Sequence, residues 1–219
     1  DFERGDMAWP IVGPSAVPVG EGWLEPEAMS EAHIETLIDD FIAAARRSIA
    51  AGYKVIELHG AHGYLIHSFL STLSNQRNDK YGGDLAGRMR LAIEVSAAVR
   101  RAMPDEMPLF FRISAVDNIE GGWQLVDTLS LANELAKVGV DVLDCSSSGI
   151  AGAATAAAGK RQPGFQVPYA EAVRKNTDLM SMAVGLITHP EQANVIIQAG
   201  QADVVAVARE ALFNPMWAA

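Results

Sequence analysis

His59, His62 and Tyr64 stand in one short run, His59-Gly60-Ala61-His62-Gly63-Tyr64-Leu65-Ile66-His67, directly after an apolar stretch that reads as a strand. A neutral imidazole can donate a hydrogen bond to a carbonyl oxygen and polarise it, and a phenol can deliver a proton to carbon. Two other readings of these residues stay open. His59 can simply close a strand while His62 packs in a loop, the commoner fate of an isolated histidine. The His-x-x-His spacing can also hold zinc, with His67 the one nearby residue able to serve as a third ligand. Arg112 ends a second apolar strand, where a buried guanidinium needs an anionic or carbonyl partner. That partner is either a cofactor edge or a carboxylate in a structural ion pair. Gly185 and the pair Ala208-Arg209 follow two further strands. Backbone N–H groups and a guanidinium at such strand ends suit a phosphate. A solvated arginine at the start of a helix is the rival reading for Arg209.

The elements that must position these residues alternate. Ile34, Leu37, Ile38, Phe41, Ile42, Ala45 and Ile49 form one apolar stripe at helical spacing, with Ser30 as N-cap and Gly52 as the stop. Strands are predicted at 54–58, 109–113, 140–144, 182–187 and 203–207, each separated from the next by a helical pattern. Strand and helix in alternation imply parallel strands with crossover helices. The polar residues His59, Arg112, Ser146, Gly185 and Arg209 sit at the C-terminal ends of these strands. A barrel builds its site on that whole rim, whereas an open sheet uses only its switch point. The expected fold is therefore an α/β TIM (β/α)8 barrel, incomplete, with about five C-terminal βα units in one partial domain over 1–219. Residues 1–29, rich in Pro and Gly, read as a surface loop. Trp9, Trp23, Trp123 and Trp217 read as packing residues, and the Ala-rich run 151–159 as a small-residue loop or a mobile segment.

Composition excludes several classes. A net charge of -10 argues against a nucleic-acid partner, which needs a basic face. No apolar run is long enough for a transmembrane helix. Cys145 is the single cysteine, so this chain builds neither an internal disulfide nor a four-cysteine cluster. It reads as inert core inside a strand. A reducing cytoplasm is the expected location, and a small molecule the expected partner.

Glu57 to Leu65 resembles the active-site strand of the Old Yellow Enzyme family. The segment Phe69-Leu70-Ser71-Thr72-Leu73-Ser74-Asn75-Gln76-Arg77-Asn78-Asp79-Lys80-Tyr81-Gly82-Gly83 is similar to that family's F-L-S-P-x-x-N-x-R-x-D-x-Y-G-G pattern. Phe110 to Ser114, Val140 to Ser147, Pro163 to Pro168, Val184 to Thr188 and Val207 to Leu212 resemble its later strands and loops. Two histidines, rather than His and Asn, resemble its bacterial branch. The resemblance implies FMN as cofactor, NADPH or NADH as reductant, and activated alkenes such as enones as substrates. It implies that His59 and His62 hold the substrate oxygen, that Tyr64 protonates the alpha carbon, and that Arg112 meets the flavin's pyrimidine edge. Gly185, Ala208 and Arg209 fall on the family's phosphate-binding strands. The resemblance also allows a homo-oligomer. It implies that the chain is a piece lacking the early barrel strands and the C-terminal tail.

Alternatives within the superfamily are a dienoyl-thioester or amine oxidoreductase. An inactive fragment and a metal-dependent barrel hydrolase are further alternatives. Three departures from the family pattern stand out, one of them Ala208, which replaces a frequent glycine. Thr72 replaces the usual proline. Asp84-Leu85-Ala86-Gly87-Arg88 replaces S-x-E-N-R, which is expected to remove loop hydrogen bonds.

Overall fold

The structure, a computed structural model, describes residues 9–151 and 161–217. Five parallel strands form its main sheet: β3 (Ile56–Gly60), β4 (Leu109–Ser114), β5 (Val142–Ser146), β6 (Met180–Ala183) and β7 (Val204–Val205). They lie in sequence order, β3-β4-β5-β6-β7, with no reversal. A doubly wound sheet must reverse its strand order at a switch point. An order that only advances is that of a barrel wall.

The connections carry α2 (Leu65–Leu70), α3 (Leu85–Ala102), α4 (Leu125–Lys137), α5 (Val167–Asn176) and α6 (Pro190–Gln198). The helix α1 (Glu31–Ala50) precedes β3 and packs on α3, and α7 (Arg209–Phe213) follows β7. Ser30 caps α1 by accepting the His33 N–H at 3.2 Å, and Gly52 follows the helix at φ +91. Both ends fall where the sequence placed them.

Side chains alternate across a strand, and here the alternation separates two chemistries. Leu58, Phe111, Ile113, Leu143, Cys145 and Ala183 join one apolar core with Leu91, Val95, Leu131, Leu135 and Val173 of the helices. The opposite face carries a row set by the strand register: His59 beside Arg112, Arg112 beside Asp144, Asp144 beside Met182, and Met182 beside Val204. Parallel strands covered on both faces usually read as continuous apolar runs. A histidine, an arginine and an aspartate in one row depart from that, and they mark the face that does chemistry.

Several expectations are corrected. The segment before Ser30 is not all loop, since β1 (Val12–Gly13) and β2 (Glu27–Ala28) pair in parallel. The first barrel strand starts two residues later than predicted, so His59 lies within it. The fourth ends early, at Ala183, because Gly185 and Leu186 turn into the left-handed region at φ +112 and +52. Trp123 is buried, but Trp9 and Trp23 are exposed rather than packed. All but the first residue of the 151–159 run lies outside the described residues.

Candidate active site

Behind β3 the chain makes a tight loop that points two side chains the same way. His62 and Gly63 are both left-handed, at φ 60 and 77. A left-handed pair reverses the chain within two residues, so that Tyr64 becomes the N-cap of α2. A left-handed non-glycine residue needs support from its surroundings. The His62 N–H donates to Ser114 Oγ at 3.0 Å, and that hydroxyl donates to the Ser148 carbonyl at 2.7 Å. The loops after β3 and β5 are thereby tied to the end of β4. Gly63 lies against Gly149, where a β-carbon on either would run into the other loop's backbone. Gly63→Ala is therefore expected to destabilise the fold by about 1–2 kcal/mol from the left-handed backbone alone, with the collision adding to it. A denaturant midpoint that stays unchanged in this variant would contradict the packing described.

The rings of His59 and His62 lie 5.3 Å apart between centroids, and those of His59 and Tyr64 also 5.3 Å. His62 is half-buried, and its pKa is pulled down to about 4, first by loss of water and then by the Arg112 charge. The pKa of His59 is lowered by the same two causes in the same order, with His67 adding to them. His62 is thus neutral at neutral pH, a hydrogen-bond donor that carries no charge of its own. Its Nε2 shares a 2.6 Å hydrogen bond with Ser146 Oγ. Gln166 Nε2 donates to Ser146 Oγ at 3.1 Å and to Ser147 Oγ at 2.9 Å, which fixes both hydroxyls.

Arg112 satisfies one of its two readings outright. Its Nε lies 3.1 Å from Asp144 Oδ2 in an ion pair whose carboxylate is almost fully buried. The pair lacks hydrogen-bond alignment: Arg112 Nε and Asp144 Oδ1 both have no hydrogen-bond partner among the described residues. Burial pushes the Asp144 pKa up to about 7, against the lowering effect of Arg112, and Glu57 adds to the rise. The guanidinium also faces a cleft of about 500 Å³.

That cleft runs along the C-terminal ends of β4 to β7. His62, Tyr64, Arg112, Ser146, Gln166, Gly185, Ala208 and Arg209 all line it, together with Arg161 and Phe165. Only His59, of the residues chosen from the sequence, lies beside it rather than on its wall. Gly185 has to be glycine, because a β-carbon would stand 2.9 Å from Gln166 Oε1 on a left-handed backbone. Ala208 has a negative φ, -122, so its backbone is not in the left-handed region that favours glycine. The zinc reading loses its third ligand. Both ring nitrogens of His67 are engaged elsewhere, and among the described residues no three His, Cys, Asp or Glu side chains converge on one point.

The sequence profile of the NADH:flavin oxidoreductase / NADH oxidase family matches residues 11–219. The chain belongs to that family. The Old Yellow Enzyme resemblance is borne out with it. An NADPH dehydrogenase of Halalkalibacterium halodurans is 44% identical over 214 residues, which is 98% of this chain and 61% of the relative. The chain thus spans about 61% of that relative's length. Among solved structures, 2-naphthoyl-CoA reductase in complex with 2-naphthoyl-CoA matches with a TM-score of 0.88 and 26% identity, over 99% of this chain and 35% of that one. Morphinone reductase in complex with tetrahydroNAD matches with a TM-score of 0.76 and 25% identity, over 95% and 58%. The family's fold is a TIM barrel, and the five strands here form part of its wall.

The segment by which the family is most easily recognised is a brace. Asn75 Nδ2 donates to the Phe69 and Tyr81 carbonyls at 2.6 and 2.8 Å. Arg77 Nη1 donates to the carbonyls of Pro14 and Met29 at 2.9 and 2.6 Å, and its other nitrogens bond Asp79. Tyr81 Oη donates to Glu94 at 2.8 Å. These bonds hold α2, and so the end of the histidine loop, against α3 and the N-terminal strands. The departure at 84–88 carries its own replacement. Asp84 caps α3 by accepting the Gly87 N–H at 2.8 Å, and Arg88 Nε donates to the Leu70 carbonyl at 3.0 Å. Thr72 Oγ1 donates to the Gly121 carbonyl. Three residues that sequence reasoning left without a role belong to the site: Asp144, Gln166 and Asp117. No spacing rule links them to the histidines, because each comes from a different loop or strand.

Proposed function

We propose that the protein is an FMN-dependent NAD(P)H oxidoreductase that reduces activated C=C bonds. The observation that carries this is one cleft wall with two kinds of group on it. His62 and Tyr64 lie at one end, a donor and a phenol within reach of a single small molecule. Arg112, Arg161 and Arg209 supply positive charge along the rest.

FMN fits these residues. Arg112 lines the cleft and is partly exposed there, its Nε facing Asp144, which leaves the far end of the guanidinium to meet the oxygen-rich edge of a flavin ring. Gly185 keeps side-chain bulk out of the cleft, and Arg209 and the backbone near Ala208 suit the phosphate. When bound, FMN supplies hydride chemistry that no side chain can perform. The chain's own residues do the rest. His59 and His62 donate hydrogen bonds to the substrate oxygen, and being uncharged they strengthen as negative charge grows there. The Tyr64 hydroxyl gives its proton to the alpha carbon. Ser146 and Gln166 keep the His62 ring turned toward the substrate.

The test is direct. Purified protein is expected to carry flavin absorbance, and to consume NADPH or NADH faster when an enone such as cyclohexenone is added. Protein that binds no FMN when supplied with it would refute the proposal. A second substrate class, unsaturated acyl thioesters, is favoured by the likeness to 2-naphthoyl-CoA reductase. Turnover of an enoyl thioester but not of cyclohexenone would select it.

A further inference from the structure

His67 does not line the cleft, yet it is fully buried and both of its ring nitrogens are spoken for. Gly63 N–H donates to Nδ1 at 2.8 Å. Nδ1 therefore accepts, and the ring proton sits on Nε2, which faces Asp117 Oδ1 at 2.8 Å. Asp117 is equally buried. Its other oxygen accepts from Ser71 Oγ at 2.6 Å and from the Trp123 N–H at 2.7 Å. Burial would raise the Asp117 carboxyl, but the bonds from His67, Ser71 and Trp123 outweigh it and hold the group below its ordinary value. An anionic acceptor fixed by three donors leaves the imidazole one tautomer.

We propose that His67 is a positioning residue. Its Nδ1 clamps the Gly63 amide and so locks the left-handed His62-Gly63 pair that aims His62 and Tyr64 into the cleft. Asp117, on the loop after β4, sets the tautomer that makes this possible. The amide needs such an acceptor because the chain turns too sharply there for a helical bond. Backbone bonds begin only with the Tyr64 N–H, which donates to the Ala61 carbonyl at 3.2 Å. The clamp differs from the Ser114 tie described above, which holds the His62 amide from the other side. Its effect on turnover rests on the function proposed above; its effect on the loop does not.

The experiment has three parts. Nitrogen NMR of histidine-labelled protein is expected to show His67 protonated at Nε2 and bare at Nδ1; a proton on Nδ1 overturns the proposal. Hydrogen exchange at the Gly63 amide is then compared in the parent, His67→Leu and His67→Asn. The asparagine amide oxygen can take the place of Nδ1, while leucine offers no acceptor. Exchange is expected to be at least about tenfold faster in His67→Leu and near the parent rate in His67→Asn, as loss of a local bond opens the loop without global unfolding. Enone turnover at equal flavin content should fall about 10- to 100-fold in His67→Leu, mainly in kcat, since a small misplacement of acting groups carries that cost. His67→Asn should restore most of it. Equal exchange and equal turnover in the two variants would show that the residue only fills space. A parent protein that reduces no alkene would sink the function proposed above, while the tautomer and the Gly63 exchange still decide this one. Should His67→Leu fail to fold, the tautomer and the His67→Asn exchange rate decide.

Discussion

Replacing Tyr64 with phenylalanine is expected to slow alkene reduction by about 10²–10⁴-fold, the usual contribution of a positioned proton donor. The side chain is 65% exposed at the cleft, so removing its hydroxyl leaves no buried partner unpaired and should not change stability. Only transfer of a proton to carbon needs the phenol. Oxidation of NADPH with oxygen as acceptor should therefore stay close to the parent rate. The two rates, measured on one preparation, separate a lost acid from a damaged site. Equal loss of both would assign Tyr64 to cofactor binding instead, and loss of neither would remove it from the mechanism.

The second large effect is expected from Arg112→Leu, and it depends on pH. Asp144 lies in the sheet face with its carboxyl pushed up to about 7 by burial, although Arg112 holds it down. Below about pH 7 the folded carboxyl is mostly protonated, and Arg112 gains little from it. Above that pH the parent pays no more, because Asp144 ionises beside a guanidinium. In the variant the carboxyl has lost that partner and keeps its proton to higher pH, while the unfolded chain is already ionised. The folded state then holds the extra proton, so its stability falls as pH rises. The deficit relative to the parent should grow by about 1.4 kcal/mol per pH unit above neutrality, toward the 3–5 kcal/mol of a broken buried pair. Urea unfolding of both proteins at pH 6, 7 and 8 measures it. A deficit that does not change with pH would mean that Asp144 is not the partner that matters. The same variant should lose flavin on gel filtration, since Arg112 is a half-buried cation on the cleft wall.

One prediction bears on the loop after β3 and the other on the row of residues across the sheet, and together they show how much could be read from the chain alone. The alternation of apolar strand and helical stripe gave the parallel α/β plan, because periodicity is a local property. It also gave the Ser30 cap, the inert Cys145 and the strand ends to inspect. The run from His59 to Tyr64 pointed to chemistry because its donors are close in sequence. The left-handed Gly185 and Leu186 were not foreseen, so the predicted strand ran past its true end. Nor could the exposed Trp9 and Trp23 be told from the buried Trp123, since a tryptophan's burial is set by what folds over it.

What the sequence determined by itself, then, is the order of elements and the identity of the reactive groups next to one another in the chain. The partners that tune those groups were decided by the tertiary structure. Asp144 meets Arg112 because β4 and β5 pair in one register, and Asp117 meets His67 across 50 residues because α2 and the loop after β4 share one rim. Burial, which moves the pKa of His62 and of Asp144, is a property of the assembled sheet and helices. Charge and desolvation act through space, and the chain order carries no measure of that distance.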